Sequence, residues 1–229
     1  MSGLRSNPIR CTTCTIRSRC FFSFLQPDVL DGVANWVHLN PKVTIFHQGA
    51  PALGWYILCQ SRAKLLLQAA KGKKFLLQFA KPGDILNLTV FGPHAFSAEA
   101  VDHCSVGLVE RDQIFLLLQQ YPELLKEAFR RLSLWEERLV RRVEDLVALG
   151  VRERLVRVLL ELGEEYGVKE ADVLRIDLPL SLRDLAEIVK ASPQTTSKEL
   201  SLLAGRGLIK IIWPTIFLLN LDGLRRRVQ

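Results

Sequence analysis

Between residues 34 and 110, apolar side chains alternate with polar ones in short runs, the pattern of half-buried strands. Strands are expected at 36–39, 43–47, 55–60, 63–68, 74–79, 97–101 and 105–110. Turn signals at Asn40-Pro41, Gly49-Ala50-Pro51, Lys71-Gly72-Lys73, Pro82-Gly83-Asp84 and Gly92-Pro93 separate them at the spacing of an antiparallel roll or barrel.

Beyond Asp112 the period becomes helical. Leu125, Leu132, Leu139 and Leu146 recur every seven residues, with Phe129 and Val143 at the intervening four-residue step. This is an a/d seam, and so narrow a stripe calls for a partner helix; the alternative is one helix lying on its own roll. Glu136 falls on the seam, where a polar residue lowers stability and helps fix register. Gly150 marks a hinge or helix end.

The remaining segment predicts an amphipathic helix at 151–166 ended by Gly167 and a short strand around 174–178. Ser181 is a good N-cap for a helix to about Val189. Ser192 followed by Pro193 opens another helix to about Ala204. The link between them, Lys190-Ala191, is tight, and 208–212 with 215–219 form a two-stranded ribbon, so this segment reads as a winged helix-turn-helix. The fold class is α+β. Its parts are a cysteine-containing segment at 1–28, a β-roll at 29–118, a dimerisation helix at 119–150 and a DNA-binding domain at 151–229.

The chain has 229 residues, 48% hydrophobic and 24% charged, which suits a globular protein with its own core. No apolar run approaches the roughly 20 residues of a membrane span, and Met1-Ser2-Gly3-Leu4-Arg5 lacks the apolar stretch of a signal peptide, so a cytoplasmic protein is expected. The net charge of +7 favours a polyanionic partner. That charge is not concentrated in 151–229, which holds thirteen Lys/Arg against eleven Asp/Glu. The surplus lies along Arg130, Arg131, Arg138, Arg141 and Arg142 and near Arg5, Arg10, Arg17 and Arg19. Specificity must then come from the placement of a few side chains on one helix.

The order of roll, long helix and winged helix-turn-helix, with Leu182-Arg183-Asp184-Leu185-Ala186, Thr195-Thr196-Ser197-Lys198 and Gly207-Leu208-Ile209, resembles the bacterial CRP/FNR family of transcription regulators from about Phe21 to Leu224. The resemblance implies a homodimer on a pseudo-palindromic double-stranded DNA operator, with the second helix of each winged domain in the major groove and RNA polymerase as a further partner. Gln194, Ser197 and Lys198 then occupy the positions that reach bases and adjacent phosphates, and Thr195, Lys190 and Arg206 are phosphate contacts that position the helix. Two residues depart from the family pattern, which has Glu at the place of Gln194 and Arg at that of Lys198. Gln pairs best with adenine and Lys lacks the planar fork of Arg, so a different operator is expected. The wing departs too, with Trp213-Pro214 at a tip that usually carries glycine and basic residues.

An odd number of cysteines, five, in a chain without an export signal points to metal or redox chemistry and away from a disulfide framework. Cys11, Cys14 and Cys20 are spaced C-x2-C-x5-C, and closely spaced thiolates converge on a soft metal centre, an iron–sulfur cluster or a zinc. The spacing resembles the cysteine set of the oxygen-sensing FNR branch, which implies a 4Fe-4S cluster with a fourth ligand from the roll. Cys104 is the first candidate for that ligand, although it aligns about three residues early. Cys59 and a non-cysteine donor are the others.

Cyclic nucleotide binding is disfavoured, because Gly83-Asp84-Ile85-Leu86-Asn87-Leu88 and Phe96-Ser97 stand where the nucleotide branch places its Glu and its Arg-Ser pair. Ser61 stands where the roll usually has glycine. Haem through His47, His94 or His103 stays open, as do a thiol switch and a structural zinc. No catalytic motif is present, so an enzyme is not expected.

Overall fold

The computed structural model describes residues 10–228. Met1-Ser2-Gly3-Leu4-Arg5, read for the absence of a signal peptide and for the charge of Arg5, lies outside the described residues. The chain forms two compact units, one up to Glu136 and the other from Glu137 onward.

In the first unit, α1 (Pro27–Val33) leads into β1 (Ala34–Leu39), β2 (Thr44–Phe46), β3 (Gly54–Gln60), β4 (Ala63–Gln68), β5 (Lys74–Ala80), β6 (Ser97–Ala100) and β7 (Cys104–Glu110). Then come α2 (Arg111–Gln120) and α3 (Pro122–Ala148), the latter opened by a proline and running unbroken past Glu136. The strands form two antiparallel sheets, ordered β1-β7-β3 and β2-β6-β4-β5. The expected strands are therefore all present, within a residue or two of their expected ends.

Strands β3 and β7 are covered on both faces, and the two-residue alternation of a strand divides their side chains between two cores. Ile57 and Val109 face one core, which is closed by Phe21, Phe22, Leu25, Leu30, Ile114 and Leu124. Leu58, Val106 and Cys104 face the other, inside the roll, with Phe46, Leu65, Leu86 and Phe96. Gly107 on β7 is required by close approach: a Cβ there would lie 2.4 Å from the Trp36 ring and 2.9 Å from Ile57. Ser61, which joins β3 to β4, has a left-handed φ of 64°, so the serine carries the conformation that glycine adopts at less cost.

The helix α3 has two faces. Leu124 and Ala128 are buried against the roll unit, and Trp135 packs on Phe96 with ring centroids 4.9 Å apart. On the seam, Leu125, Phe129, Leu132, Leu139, Val143 and Leu146 are exposed, Phe129 and Val143 each at 61%.

The second unit contains α4 (Val151–Tyr166), β8 (Gly167–Glu170), β9 (Val173–Ile176), α5 (Leu182–Val189), α6 (Pro193–Gly205), β10 (Ile209–Ile212), β11 (Thr215–Leu218) and α7 (Leu221–Arg225). A sheet ordered β10-β11-β9-β8 flanks the helices. Leu155, Val156, Leu159, Leu185, Ile188, Leu200 and Leu203 are buried, as expected of helices that pack through one apolar face. A ladder of ion pairs joins the last turns of α3 to α4: Arg138–Glu165 at 2.5 Å, Arg142–Glu161 at 2.9 Å, and Arg157 with the buried Asp145.

Candidate nucleic-acid interface and cysteine site

Local capping builds the first site. Ser181 and Asp184 form a reciprocal capping box at the start of α5, each side chain accepting from the other's backbone N–H. At its end, Lys190 turns left-handed with φ 57°, and Arg154 donates from Nε to the Val189 carbonyl at 2.9 Å. The chain then enters α6, where Ser192 Oγ accepts from the Thr195 N–H at 3.1 Å and Pro193 occupies the first turn. Thr196 is fully buried, its hydroxyl donating to the Ser192 carbonyl at 3.0 Å, and with Leu200 and Leu203 it fixes the rotation of the helix. Gln194, Thr195, Ser197 and Lys198 are consequently all exposed on the outward face, as is Arg206 at the end of α6.

A helix N-terminus with exposed amide, hydroxyl and ammonium groups offers donors to phosphates and base edges together. Lys190 is half-buried, and burial, followed by the neighbouring Arg142, pulls its ammonium down to a pKa of about 8. On the wing, Ile212 and Trp213 are exposed, so Trp213 does not pack into the unit's core. The Pro214 carbonyl accepts from the Leu180 N–H at 3.1 Å.

The cysteines divide between the two cores. Cys11, Cys20 and Cys59 all pack against the core that contains Phe21, Trp55 and Ile57. The ionisation of Cys59 is opposed by burial and then by Cys20, Cys11 and Cys14, which places all three thiols in its electrostatic neighbourhood. Burial, with Asp31 and Cys20 adding to it, pushes Cys11 up to about 12, and burial raises Cys20 as well. Cys104 lies in the roll core, pushed up to about 11 by burial and Asp102, with none of the other thiols contributing. The structure therefore brings Cys59 to the N-terminal cysteines and leaves Cys104 on the opposite face of the sheet, because 104 shares its strand parity with Val106.

The donor set suits a soft metal centre: thiols from three points of the N-terminal segment and one strand, beside an apolar wall. Among the described residues, no group of three or more His, Cys, Asp or Glu side chains forms a ready metal-ion site.

Comparison with known proteins bears on both units. Residues 153–227 match the Crp-like helix-turn-helix domain, and residues 36–121 match the cyclic nucleotide-binding domain. The chain belongs to the CRP/FNR family of transcription regulators. It is 28% identical over 189 residues to the CRP-like cAMP-activated global transcriptional regulator of Mycobacterium tuberculosis, covering 81% of this chain and 84% of that protein. It is 27% identical over 224 residues to the nitrogen fixation regulation protein FixK of Bradyrhizobium diazoefficiens, covering 92% and 90%. The solved structure of FixK2 from Bradyrhizobium japonicum shares the fold, with a TM-score of 0.77 at 22% identity over 86% of this chain and 98% of that one. These relatives are regulators and not enzymes, and this CRP/FNR protein is a DNA-binding transcription regulator.

In this CRP/FNR regulator, the residues at the nucleotide-pocket positions have other work. Asn87 is buried, accepting from the Tyr56 N–H at 3.1 Å and donating to the Gly54 carbonyl at 3.1 Å. Leu86 and Phe96 fill the roll, and Ser97 Oγ accepts from the Gln48 N–H at 2.8 Å. Of the histidines considered for haem, His47 and His103 are exposed. His94 is buried and stacked on Phe46 at 4.1 Å. Among the described residues, no helix is long and apolar enough to cross a membrane.

Two structural features near these sites escaped the sequence pattern. The first is Arg154, whose hydrogen bonds to Val189 and Leu149 hold the turn before α6, and nothing in the sequence distinguishes it from other helix arginines. The second is the pair of Arg131 and Asp84, 3.4 Å apart, on α3 and on the turn that precedes Ile85. In the sequence Arg131 shows only as one of the surplus basic residues along this helix.

Proposed function

We propose that this regulator acts as a homodimer on a pseudo-palindromic operator and senses oxygen or redox state through a 4Fe-4S cluster held by Cys11, Cys14 and Cys20 with a fourth donor. The observation that carries the dimer is the unpaired apolar stripe of α3 from Leu125 to Leu146, with six large side chains facing solvent in heptad register. Gln194, Ser197 and Lys198 read base edges and adjacent phosphates; Thr195, Lys190 and Arg206 hold phosphates and set the register. Twofold symmetry of the protein then demands matching half-sites about one helical turn apart.

The cluster supplies a centre whose charge and integrity respond to oxidants. The chain supplies the route from it to α3. The Phe21 N–H, next to Cys20, donates to the Gly83 carbonyl at 2.8 Å, and the following Asp84 pairs with Arg131 on α3. Burial dominates the ionisation of Cys20 and raises its pKa, with Arg131 a small charge acting the other way. Helix α3 continues into the DNA-binding unit, which makes it the two-state element that the cysteines could bias.

A thiol switch is the second reading. Burial of Cys11, Cys20 and Cys59 bears on both readings alike, because metal ligation and thiol exchange each use the thiolate.

The test has two arms. Protein purified without oxygen should contain iron and acid-labile sulfide with a cluster absorption spectrum, and should enrich one twofold-symmetric sequence from random duplexes. Colourless protein with stoichiometric zinc would remove the sensing half, and failure to enrich any duplex would remove the operator half.

A further inference from the structure

Four observations bear on the missing cluster ligand, and each concerns how Cys59 and Cys20 are brought together. First, β3 and β7 slip out of register at Cys59: Leu58 opposes Val106 and Gln60 opposes Ser105, so Cys59 has no cross-strand partner. A bulge of this kind frees a side chain from the ladder and re-aims it. Second, the Cys59 side chain packs on the same core as Cys11 and Cys20, the face of β3 that Ile57 shares.

Third, a single turn ties the two segments together. The Gly83 N–H donates to the Leu58 carbonyl at 2.7 Å, while the Gly83 carbonyl accepts from Phe21 at 2.8 Å. Gly83 thus bridges the residue before Cys59 and the residue after Cys20. It has a φ of 95°, and a Cβ there would lie 2.9 Å from the Arg19 carbonyl oxygen and 3.2 Å from the Cys20 Cα, so the approach depends on glycine. Fourth, the rival thiol faces elsewhere: Cys104 is enclosed with Phe46, Leu58 and Val106 inside the roll.

We infer that Cys59, presented by the β3 bulge and the Gly83 bridge, is the fourth protein ligand of the metal centre held by Cys11, Cys14 and Cys20. This rests on the cluster reading above. Ligation replaces the Cys59 S–H bond with a sulfur–iron bond, the proton passing to solvent, with no change in oxidation state. Asp31 is an oxygen competitor, because its Oδ1 accepts the Cys11 N–H at 2.7 Å and so stands beside the first cysteine.

The experiment is anaerobic reconstitution of the full chain with ferrous iron and sulfide, comparing wild type with Cys59→Ser, Cys104→Ser and Asp31→Asn. Bound iron and visible cluster absorbance are read alongside thermal unfolding of the metal-free forms. Cys59→Ser should lose most of the iron and absorbance with its metal-free melting unchanged, while Cys104→Ser and Asp31→Asn keep them. Full iron in Cys59→Ser overturns the assignment, whatever the other two variants do, and leaves the cluster reading standing. A wild type that takes up no cluster overturns both.

If Cys59→Ser fails to fold, Cys59→Ala, which suits an apolar site, takes its place in the same comparison. Loss of most of the iron and absorbance supports the proposal, and full iron in that variant contradicts it.

Discussion

Arg131 on α3 pairs with Asp84, the residue that follows the glycine against which Cys20 is packed. Both side chains are about a quarter exposed, so the pair adds on the order of 1 kcal/mol or less to stability. Under the proposed function, its place between the cysteines and α3 gives it a part in coupling. Asp84→Asn should leave the melting temperature nearly unchanged and reduce the difference in operator affinity between metal-loaded and stripped protein. The full coupling is expected at ~1–3 kcal/mol, measured by fluorescence anisotropy on the selected duplex.

The exposed stripe of α3 gives the dimer prediction. Val143→Glu or Phe129→Glu places a charge on the seam at a position now 61% exposed, so neither substitution disturbs a core of the isolated chain. Sedimentation should show a monomer with native circular dichroism and with operator affinity lowered at least ~100-fold, since a single half-site forfeits most of the phosphate and base contacts.

On the recognition helix, Gln194→Ala should cost about 1–3 kcal/mol on the preferred operator and relax selectivity at one position per half-site. Lys198→Ala, if Lys198 meets phosphate, should weaken all duplexes alike and lower the slope of affinity against salt by about one unit per half-site. Competition binding at several salt concentrations separates the two outcomes.

Lys190 gives a pH dependence of two opposite signs. Burial and Arg142 depress its folded pKa to about 8, with Glu187 acting weakly the other way, so the unfolded chain binds this proton more tightly. Stability should therefore rise with pH between about 8 and the ordinary lysine value near 10.4. A phosphate contact needs the charged ammonium, so operator affinity should fall over the same rise in pH. Lys190→Arg should flatten the affinity profile, read by anisotropy from neutral to alkaline pH.

Much of this architecture is legible in the pattern of residues, because each element carries a local signal. The alternation in β1 to β7, the Ser181 and Ser192 caps and the seven-residue step on α3 are all short-range properties that tertiary packing reinforces. The cysteine site is less legible. The spacing of Cys11, Cys14 and Cys20 is visible in one dimension, but the neighbour of Cys20 depends on a bulge at Cys59 and on the left-handed Gly83, neither of which periodicity reports. Strand parity sets the direction of the rival thiol: Cys104, an even step from Val106, turns its side chain into the roll. The division of compact units within α3, at Glu136 and Glu137, is also invisible to a seam that runs evenly through that point.

Asp145 offers a check on the second unit alone. It is buried at the foot of α3 and paired with Arg157, whose Nη2 also donates to the Val228 carbonyl at 3.4 Å. Asp145→Asn strips the arginine of its counter-charge in a confined place and should destabilise the unit by about 3 kcal/mol in urea unfolding.

The central claim is that the cysteine site and the recognition helix are linked. The most direct measurement is operator affinity of one anaerobic preparation before and after its iron is removed, with Cys20→Ser as a parallel sample. The account predicts a change of about 5-fold to 150-fold between loaded and stripped protein, absent in Cys20→Ser. Equal affinities for loaded and stripped wild type, in a preparation shown to carry the cluster, would contradict it.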